Sequence, residues 1–389
     1  MLRTLIIFLF FASLHAEPIA VYLTLQQTPE NHMTVCWIVK ATEQAQCLKY
    51  REDSQWYHVE ATPRKFPGKL SYSLFFVELS GLKADKKYEF ILDDSEETYA
   101  FKTLPSSLTR PIKFVVGGDI YHDEIAIVEQ MNHIAAKHNP DFALLGGDIA
   151  YSGSILTLFN EESKRWVDFL KSWSKTMKQS DGTLIPMVTT IGNHDINGRY
   201  DQTPEYALFY YFLFPTYSST GYRVIDFGDY LSLWVLDSGH ACPVQGEQTG
   251  WLEKTLQEKE GVPYKFALYH VPAYPSVRSY DNKRSTMVRN FWTPLFDKYG
   301  LTVAFEHHDH AYKRTHLLKE GKVSGKGVLY VGDGAWGVEK PRIPKSPKDL
   351  WYLAASSQKR HIVLATIGKQ LLTVEAIGPD GKVFDFVSL

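Results

Sequence analysis

The chain has 389 residues, with 42 basic against 44 acidic side chains and a formal net charge of −2. That balance excludes a broad surface for coating polyphosphate, as in histone-like or non-specific nucleic-acid binding. Apolar residues at 44% and aromatics at 14% exclude global disorder and supply enough material for large cores.

The chain opens Met1-Leu2-Arg3, runs through an apolar stretch from Leu5 to Leu14, and places His15-Ala16 before Glu17-Pro18. A positive start and a short apolar run closed by a small residue predict an export signal over residues 1–16. A bilayer span takes about 20 apolar residues, so this run is short for one. No second long apolar run follows, and a soluble exported chain is expected. Export permits disulfides. Cys36, Cys47 and Cys242 cannot all pair within one chain, and their spacing leaves a Cys36–Cys47 pair open.

Residues 17–104 carry a period of two. Met33, Val35, Trp37 and Val39 alternate with Thr34, Cys36 and Ile38, and Tyr72, Leu74 and Phe76 repeat the pattern, as do Tyr88, Phe90 and Leu92. Short turn-forming stretches separate these runs, which predicts an antiparallel sandwich of roughly seven strands. Leu79 to Tyr88 has the form of a tyrosine corner, in which a Tyr hydroxyl bonds an upstream backbone group, and Trp37 is the expected core plug. The segment resembles a fibronectin type III-like domain. Leu104-Pro105-Ser106-Ser107 is expected to be the linker.

From Pro111 onward strands and helices alternate, which predicts an α/β domain over residues 111–389. Strands are expected at Lys113–Val116, Asp141–Leu145, Pro186–Thr190, Leu231–Leu236, Lys265–Tyr269 and Leu301–Phe305. Ile125, Val128, Met131, Ile134 and Ala135 recur at helical spacing, as do Trp166, Phe169, Leu170, Trp173 and Met177. Further helices are expected on Trp251, Leu252 and Leu256, and on Val288, Phe291, Trp292 and Leu295.

Five strand ends are each followed by a metal-competent side chain: Asp119, Asp148 with Tyr151, Asn193-His194-Asp195, His270, and His308-Asp309-His310. The carboxyl ends of strands in open α/β sheets converge on one rim, so residues distant in sequence meet there. Alternate side chains of an extended segment point the same way, which pairs His308 with His310.

In this order the motifs resemble the metallophosphoesterase (calcineurin-like) superfamily, and within it the purple acid phosphatases. That pattern runs Gly-Asp, Gly-Asp-x-x-Tyr, Gly-Asn-His-(Asp/Glu), a later His, and Gly-His-x-His. The likeness extends over nearly all of the chain past residue 16, since larger members also carry a leading β-sandwich. It implies an αββα catalytic domain and two metal ions. Asp119, Asp148, Tyr151 and His310 would hold the first ion, and Asp148, Asn193, His270 and His308 the second, with Asp148 bridging. A phenolate suits Fe(III) at the first position; imidazole and amide oxygen suit Fe(II), Zn(II) or Mn(II) at the second. The implied reaction is hydrolysis of small-molecule phosphomonoesters by attack of metal-bound hydroxide on phosphorus, with His194 as acid to the leaving alcohol and Asp195 setting its tautomer. Neither nucleic-acid binding nor a membrane span is expected, and the oligomeric state stays open.

Two residues depart from the pattern. Tyr121 stands where Gly or His is usual and is expected to crowd the first ion, and His307 replaces the Gly before His308. Arg278, Arg284 and Arg289 are candidate phosphate ligands, and substrate choice is expected in the loops 152–162, 198–204 and 274–285. The alternatives are a diesterase or nucleotide pyrophosphatase on the same site, and an inactive metal-binding adhesion module.

Overall fold

A computed structural model describes residues 17–93, 95–153, 162–196, 200–215 and 220–389. The expected export signal, and parts of the expected loops 152–162 and 198–204, lie outside the described residues. The N-terminal region is all-β: β1 (Ala20–Thr24), β2 (Met33–Lys40), β3 (Gln46–Glu52), β4 (Gln55–Ala61), β5 (Arg64–Lys65), β6 (Tyr72–Leu79), β7 (Lys87–Leu92) and β8 (Tyr99–Lys102). Eight strands stand where about seven were expected, the short β5 being the extra one. Strands β4-β3-β7-β8 form one layer, and β1-β2-β6-β5 belong to the other.

The rest of the chain alternates strand and helix. In order come β9 (Ile112–Gly117), α1 (Ile125–Ala136), β10 (Phe142–Gly146), α2 (Ser163–Thr176), β11 (Met187–Thr190), α3 (Leu208–Leu213), β12 (Arg223–Phe227), β13 (Leu231–Val235), α4 (Glu247–Glu258) and β14 (Tyr264–Leu268). There follow α5 (Lys283–Phe291), α6 (Thr293–Tyr299), β15 (Val303–Glu306), β16 (Tyr312–Thr315), β17 (Leu318–Lys319), β18 (Lys322–Val323), β19 (Leu329–Gly332), β20 (Leu353–Ser357), β21 (Ile362–Ile367), β22 (Leu372–Ile377) and β23 (Val383–Ser388). The single helix expected on Val288 to Leu295 is two helices. Pro294, in the first turn of α6, has no N–H to continue α5.

Two sheets stack in the middle of the molecule. One runs β23-β22-β21-β9-β10-β11-β1-β2-β6-β5 and the other β12-β13-β14-β15-β19-β16-β20. Phe114, Leu144, Val188, Leu233, Phe266 and Phe305 fill the space between them. Helices α1 and α2 bury Val128, Met131, Phe169 and Trp173 against the first sheet. Helices α4, α5 and α6 bury Leu252, Leu256, Val288 and Phe296 against the second. This is the expected αββα arrangement, and it brings the ends of β9, β10, β11, β14 and β15 to one rim. No helix among the described residues is long and apolar enough to cross a membrane.

The N-terminal layer is stitched to the catalytic sheet. Strand β1 pairs in parallel with β11 at Thr24 and Met187. The expected linker is pinned as well: the Leu104 N–H donates to the Pro29 carbonyl at 3.0 Å, and the Ser106 carbonyl accepts from Asp229 at 2.9 Å. Because β2 lies inside a layer covered on both faces, Val35 and Trp37 face one core while Cys36 and Ile38 face another. Cys36, Cys47 and Cys242 are all free thiols.

The tyrosine corner forms through the Tyr88 hydroxyl, which accepts from the Lys83 N–H at 2.7 Å. Trp37 is fully buried, donates from Nε1 to Gln46 at 2.5 Å and stacks on Phe75. Tyr88→Phe removes one hydrogen bond and little volume. It is expected to lower unfolding free energy by about 1 kcal/mol in a urea titration. An unchanged midpoint would show that the corner contributes shape alone.

Candidate metal centre

Five of the candidate side chains sit at sharp backbone turns. Asp119 (φ 54°), Asp148 (φ 52°), Tyr151 (φ 52°), His308 (φ 80°) and His310 (φ 59°) all lie in the left-handed region. For non-glycine residues this costs on the order of 1–2 kcal/mol each and persists only where the surroundings enforce it. Here neighbouring loops enforce it. The N–H groups of Asp119, Ile120 and Tyr121 donate to the carbonyls of Gly147, Asp148 and Ile149 at 2.9–3.0 Å. The His308 N–H donates to Asp119 Oδ2 at 2.9 Å, and the His194 N–H to Asp148 Oδ1 at 2.7 Å.

Two clusters result. In the first, Asp119 Oδ1 lies 2.7 Å from the Tyr151 hydroxyl and 2.8 Å from His310 Nε2, and that hydroxyl is 3.0 Å from His310 Nε2. In the second, His270 Nε2 is the hub, 3.2 Å from Asn193 Oδ1, 3.1 Å from His308 Nδ1 and 3.3 Å from Asp148 Oδ2. Ligand atoms of Asp148, His270 and His308 all fall within 4.8 Å of one another.

The donor set fits cations. Asp148 is fully buried, and its Oδ2 has no hydrogen-bond partner among the described residues; the His270 contact is an ion pair without hydrogen-bond geometry. An unsolvated carboxylate oxygen is costly unless positive charge meets it. His270 Nδ1 lies 2.8 Å from the Gly146 carbonyl, which only accepts, so one proton is fixed there and Nε2 is the nitrogen that faces the cluster and would bind a cation. Gly192 allows the approach: a Cβ there would lie 2.2 Å from Asp148 Oδ1.

Electrostatics follow the same plan. Burial pushes the Asp119 carboxyl up, but His310 outweighs it and holds the group at about 2. Burial would depress His270, but Asp148 overrides it and lifts the imidazole to about 9. Burial, with Asp119 and Asp148 alongside, raises the Tyr151 phenol well above its ordinary value.

The structure places the remaining candidates as follows. His194 stacks on Tyr151 with ring centroids 4.6 Å apart, and its Nδ1 lies 2.8 Å from the Gly153 carbonyl. Asp195 does not set that tautomer. Its oxygens accept from the backbone of Ile149 at 2.8 Å and Gly192 at 3.0 Å, bracing the turns instead. Tyr121 does not crowd the site, because its ring is drawn away to the Arg165 guanidinium at 3.9 Å. His122 takes the place beside the first cluster, with its ring 4.8 Å from Tyr151 and 4.7 Å from His310. His307 is buried against Gly118 and Gly146; a Cβ on Gly146 would lie 1.8 Å from its ring.

Of the three arginines, Arg289 is committed to the carbonyls of Ala273 and Tyr280. Arg278 binds Asp309 at 2.5 Å and Arg284 binds Asp201 at 2.7 Å. Both line an open cleft of about 410 Å³ with Tyr200, Lys283 and His308. Tyr200 and His122 escaped sequence reasoning, since each is a lone polar residue in a loop with no spacing signal.

If His270 is a ligand, a cation must displace its proton below about pH 9. Zn(II) added to stripped protein is therefore expected to release more protons per ion at about pH 7 than at about pH 9.5, read with an indicator dye. Equal release at both pH values contradicts that role.

Known proteins share this architecture. The calcineurin-like phosphoesterase family matches residues 112–312, and the purple acid phosphatase N-terminal domain matches residues 18–103. Purple acid phosphatase 15 of Arabidopsis thaliana is 25% identical over 305 residues, covering 69% of this chain and 55% of that protein. Purple acid phosphatase 18 of the same plant is 23% identical over 352 residues, covering 83% of this chain and 72% of that protein. The chain thus spans little more than half of the first relative's length. The purple acid phosphatase PPD1 from yellow lupin superposes with a TM-score of 0.78 at 16% identity, over 96% of this chain and 74% of that one. With the family match extending over more than half of the sequence and the companion domain ahead of it, the chain belongs to the calcineurin-like phosphoesterases, on the purple acid phosphatase plan.

Proposed function

We propose that the protein is an exported, binuclear metal-dependent phosphatase acting on phosphomonoesters. The observation that carries this reading is the buried Asp148 Oδ2, without a hydrogen-bond partner among the described residues, beside a carboxylate–phenol–imidazole cluster and an amide–imidazole cluster. Asp119, Tyr151 and His310 would hold one ion, Asn193, His270 and His308 the other, and Asp148 both. The phenol suits Fe(III); the second set suits Fe(II), Zn(II) or Mn(II). When bound, such a pair supplies Lewis acidity toward the phosphoryl oxygens and a water of lowered pKa.

The chain's own groups do the rest. With His194 Nδ1 committed to the Gly153 carbonyl, Nε2 is left free of protein partners among the described residues and, when the ring carries its second proton, is the position from which that proton passes to the leaving alcohol, leaving the neutral imidazole. The cleft beside His308 is rimmed by Arg278 and Arg284, each paired to a carboxylate, and by Lys283, whose added positive charge favours anionic substrates. With a net charge of −2 for the whole chain, a small phosphate ester fits better than nucleic acid. Export rests on the N-terminal apolar run from Leu5 to Leu14.

Protein loaded with Fe(III) and Zn(II) is expected to hydrolyse a chromogenic phosphomonoester and to show a visible band that Tyr151→Phe abolishes. His194→Ala should lower kcat by about 10²–10⁴-fold with metal content unchanged. A protein that holds both ions and hydrolyses no phosphomonoester contradicts the proposal.

A further inference from the structure

His308 is held at both ring nitrogens. Its Nδ1 lies 3.1 Å from His270 Nε2, and its Nε2 lies 3.1 Å from the Tyr200 hydroxyl. A neutral imidazole carries one ring proton, and the partner of one nitrogen decides the state of the other. Once neutral, as a metal ligand must be, His270 presents a lone pair at Nε2, since its Nδ1–H is committed to the Gly146 carbonyl. Two tautomers of His308 therefore compete. With the proton on Nδ1, His308 donates to His270 Nε2, and the two rings consume each other's ligand atoms. With the proton on Nε2, His308 donates to Tyr200, and both lone pairs face one point.

Tyr200 is not free to drift from that contact. Its ring stacks on the buried His240 imidazole, centroids 5.0 Å apart and planes 28° apart. Over it sits the Arg284 guanidinium, 4.4 Å from the centroid. Arg284 is itself held by both oxygens of Asp201, at 2.7 and 2.5 Å. The Asp201 and Gln202 N–H groups donate to the carbonyls of Gly239 and His240 at 2.9 and 2.8 Å, tying this loop to the segment behind it. That segment is clasped in turn by the buried Asp237 carboxylate, which accepts from the N–H groups of Gly239, His240, Ala241 and Cys242 at 2.7–3.0 Å.

We propose that Tyr200 is a positioning residue for the second ion: its hydroxyl accepts from His308 Nε2–H and so keeps His308 Nδ1 unprotonated and aimed at the His270–Asp148 point. The inference rests on the two-ion reading above. It differs from the ligand assignment itself, because Tyr200 is not among the proposed ligands and acts only through His308. The stack of Asp201–Arg284, Tyr200 and His240 is the rigid support that makes one hydroxyl decisive.

Tyr200→Phe keeps the ring and its stacking partners and removes only the acceptor. Zn(II) affinity at the second position, measured by chelator competition, is expected to fall about 10–100-fold. The visible band of the first ion and the melting temperature of the metal-free protein should stay unchanged. Zn(II) affinity within about twofold of wild type overturns the proposal. So does a parallel loss at both positions or a lower metal-free melting temperature, which would mark a general structural role. A second measurement does not depend on the variant. Nitrogen-15 shifts of His308 in the metal-free wild type, recorded well above pH 9 where His270 is neutral, are expected to show the proton on Nε2; a proton on Nδ1 overturns the proposal. If wild type takes up no second ion, the two-ion reading fails, while those shifts still decide the His308–Tyr200 bond.

Discussion

Everything at the rim turns on one buried carboxylate. Asp148 is fully buried, spends one oxygen on the His194 N–H, and leaves the other without a donor among the described residues. A charge removed from water in this way needs opposite charge close by. The sequence places imidazoles beside both buried carboxylates: His270 next to Asp148 and His310 next to Asp119. The same demand accounts for the strained exits. A strand continuing straight would carry its side chains past the rim, whereas a left-handed residue two positions beyond the strand folds the side chain back over it.

The scaffold bears that strain because both sheets are packed on both faces. The inter-sheet core reaches up to the loops through Phe114, Phe142, Phe266 and Phe305, whose rings stack or meet edge to face. His307 closes this core at the top, beneath the site, where only glycine at 118 and 146 leaves room for an imidazole. The residue that looked like a broken motif is thus a packing substitution whose space is provided across the interface. Tyr121 is a parallel case. Its bulk is tolerated because the Arg165 guanidinium on α2 draws the ring outward, and His122 then occupies the inner position.

Much of this was legible in the sequence, for identifiable reasons. The alternating strands from Met33 to Leu92, the helical periods at Ile125 and Trp166, and the Gly-Asp exits are local patterns, and local patterns survive translation into structure. The parallel pairing of β1 with β11 was not legible. It joins Thr24 to Met187 across a long stretch of chain, and no spacing encodes it. The break between α5 and α6 hid inside a continuous apolar period, with Pro294 as its one signal. Strand β12 has alternate residues buried and half-buried, so it lacks the apolar run by which its neighbours stand out. At the site, ligand types announced themselves by position after strands. Their supports did not: Asp195 bracing two turns, Asp237 clasping four N–H groups and Tyr200 reaching His308 are single side chains whose partners lie on other loops.

On the proposed reading, Asp148 is shared between two cations. Anomalous diffraction from crystals of protein loaded with Fe(III) and Zn(II), recorded above each absorption edge, addresses it most directly. Two peaks about 3.5–4 Å apart are predicted. The iron should lie beside Tyr151 and His310, the zinc beside His270 and His308, with Asp148 in contact with both. A single peak, or two peaks of which one stands clear of Asp148, would contradict the account.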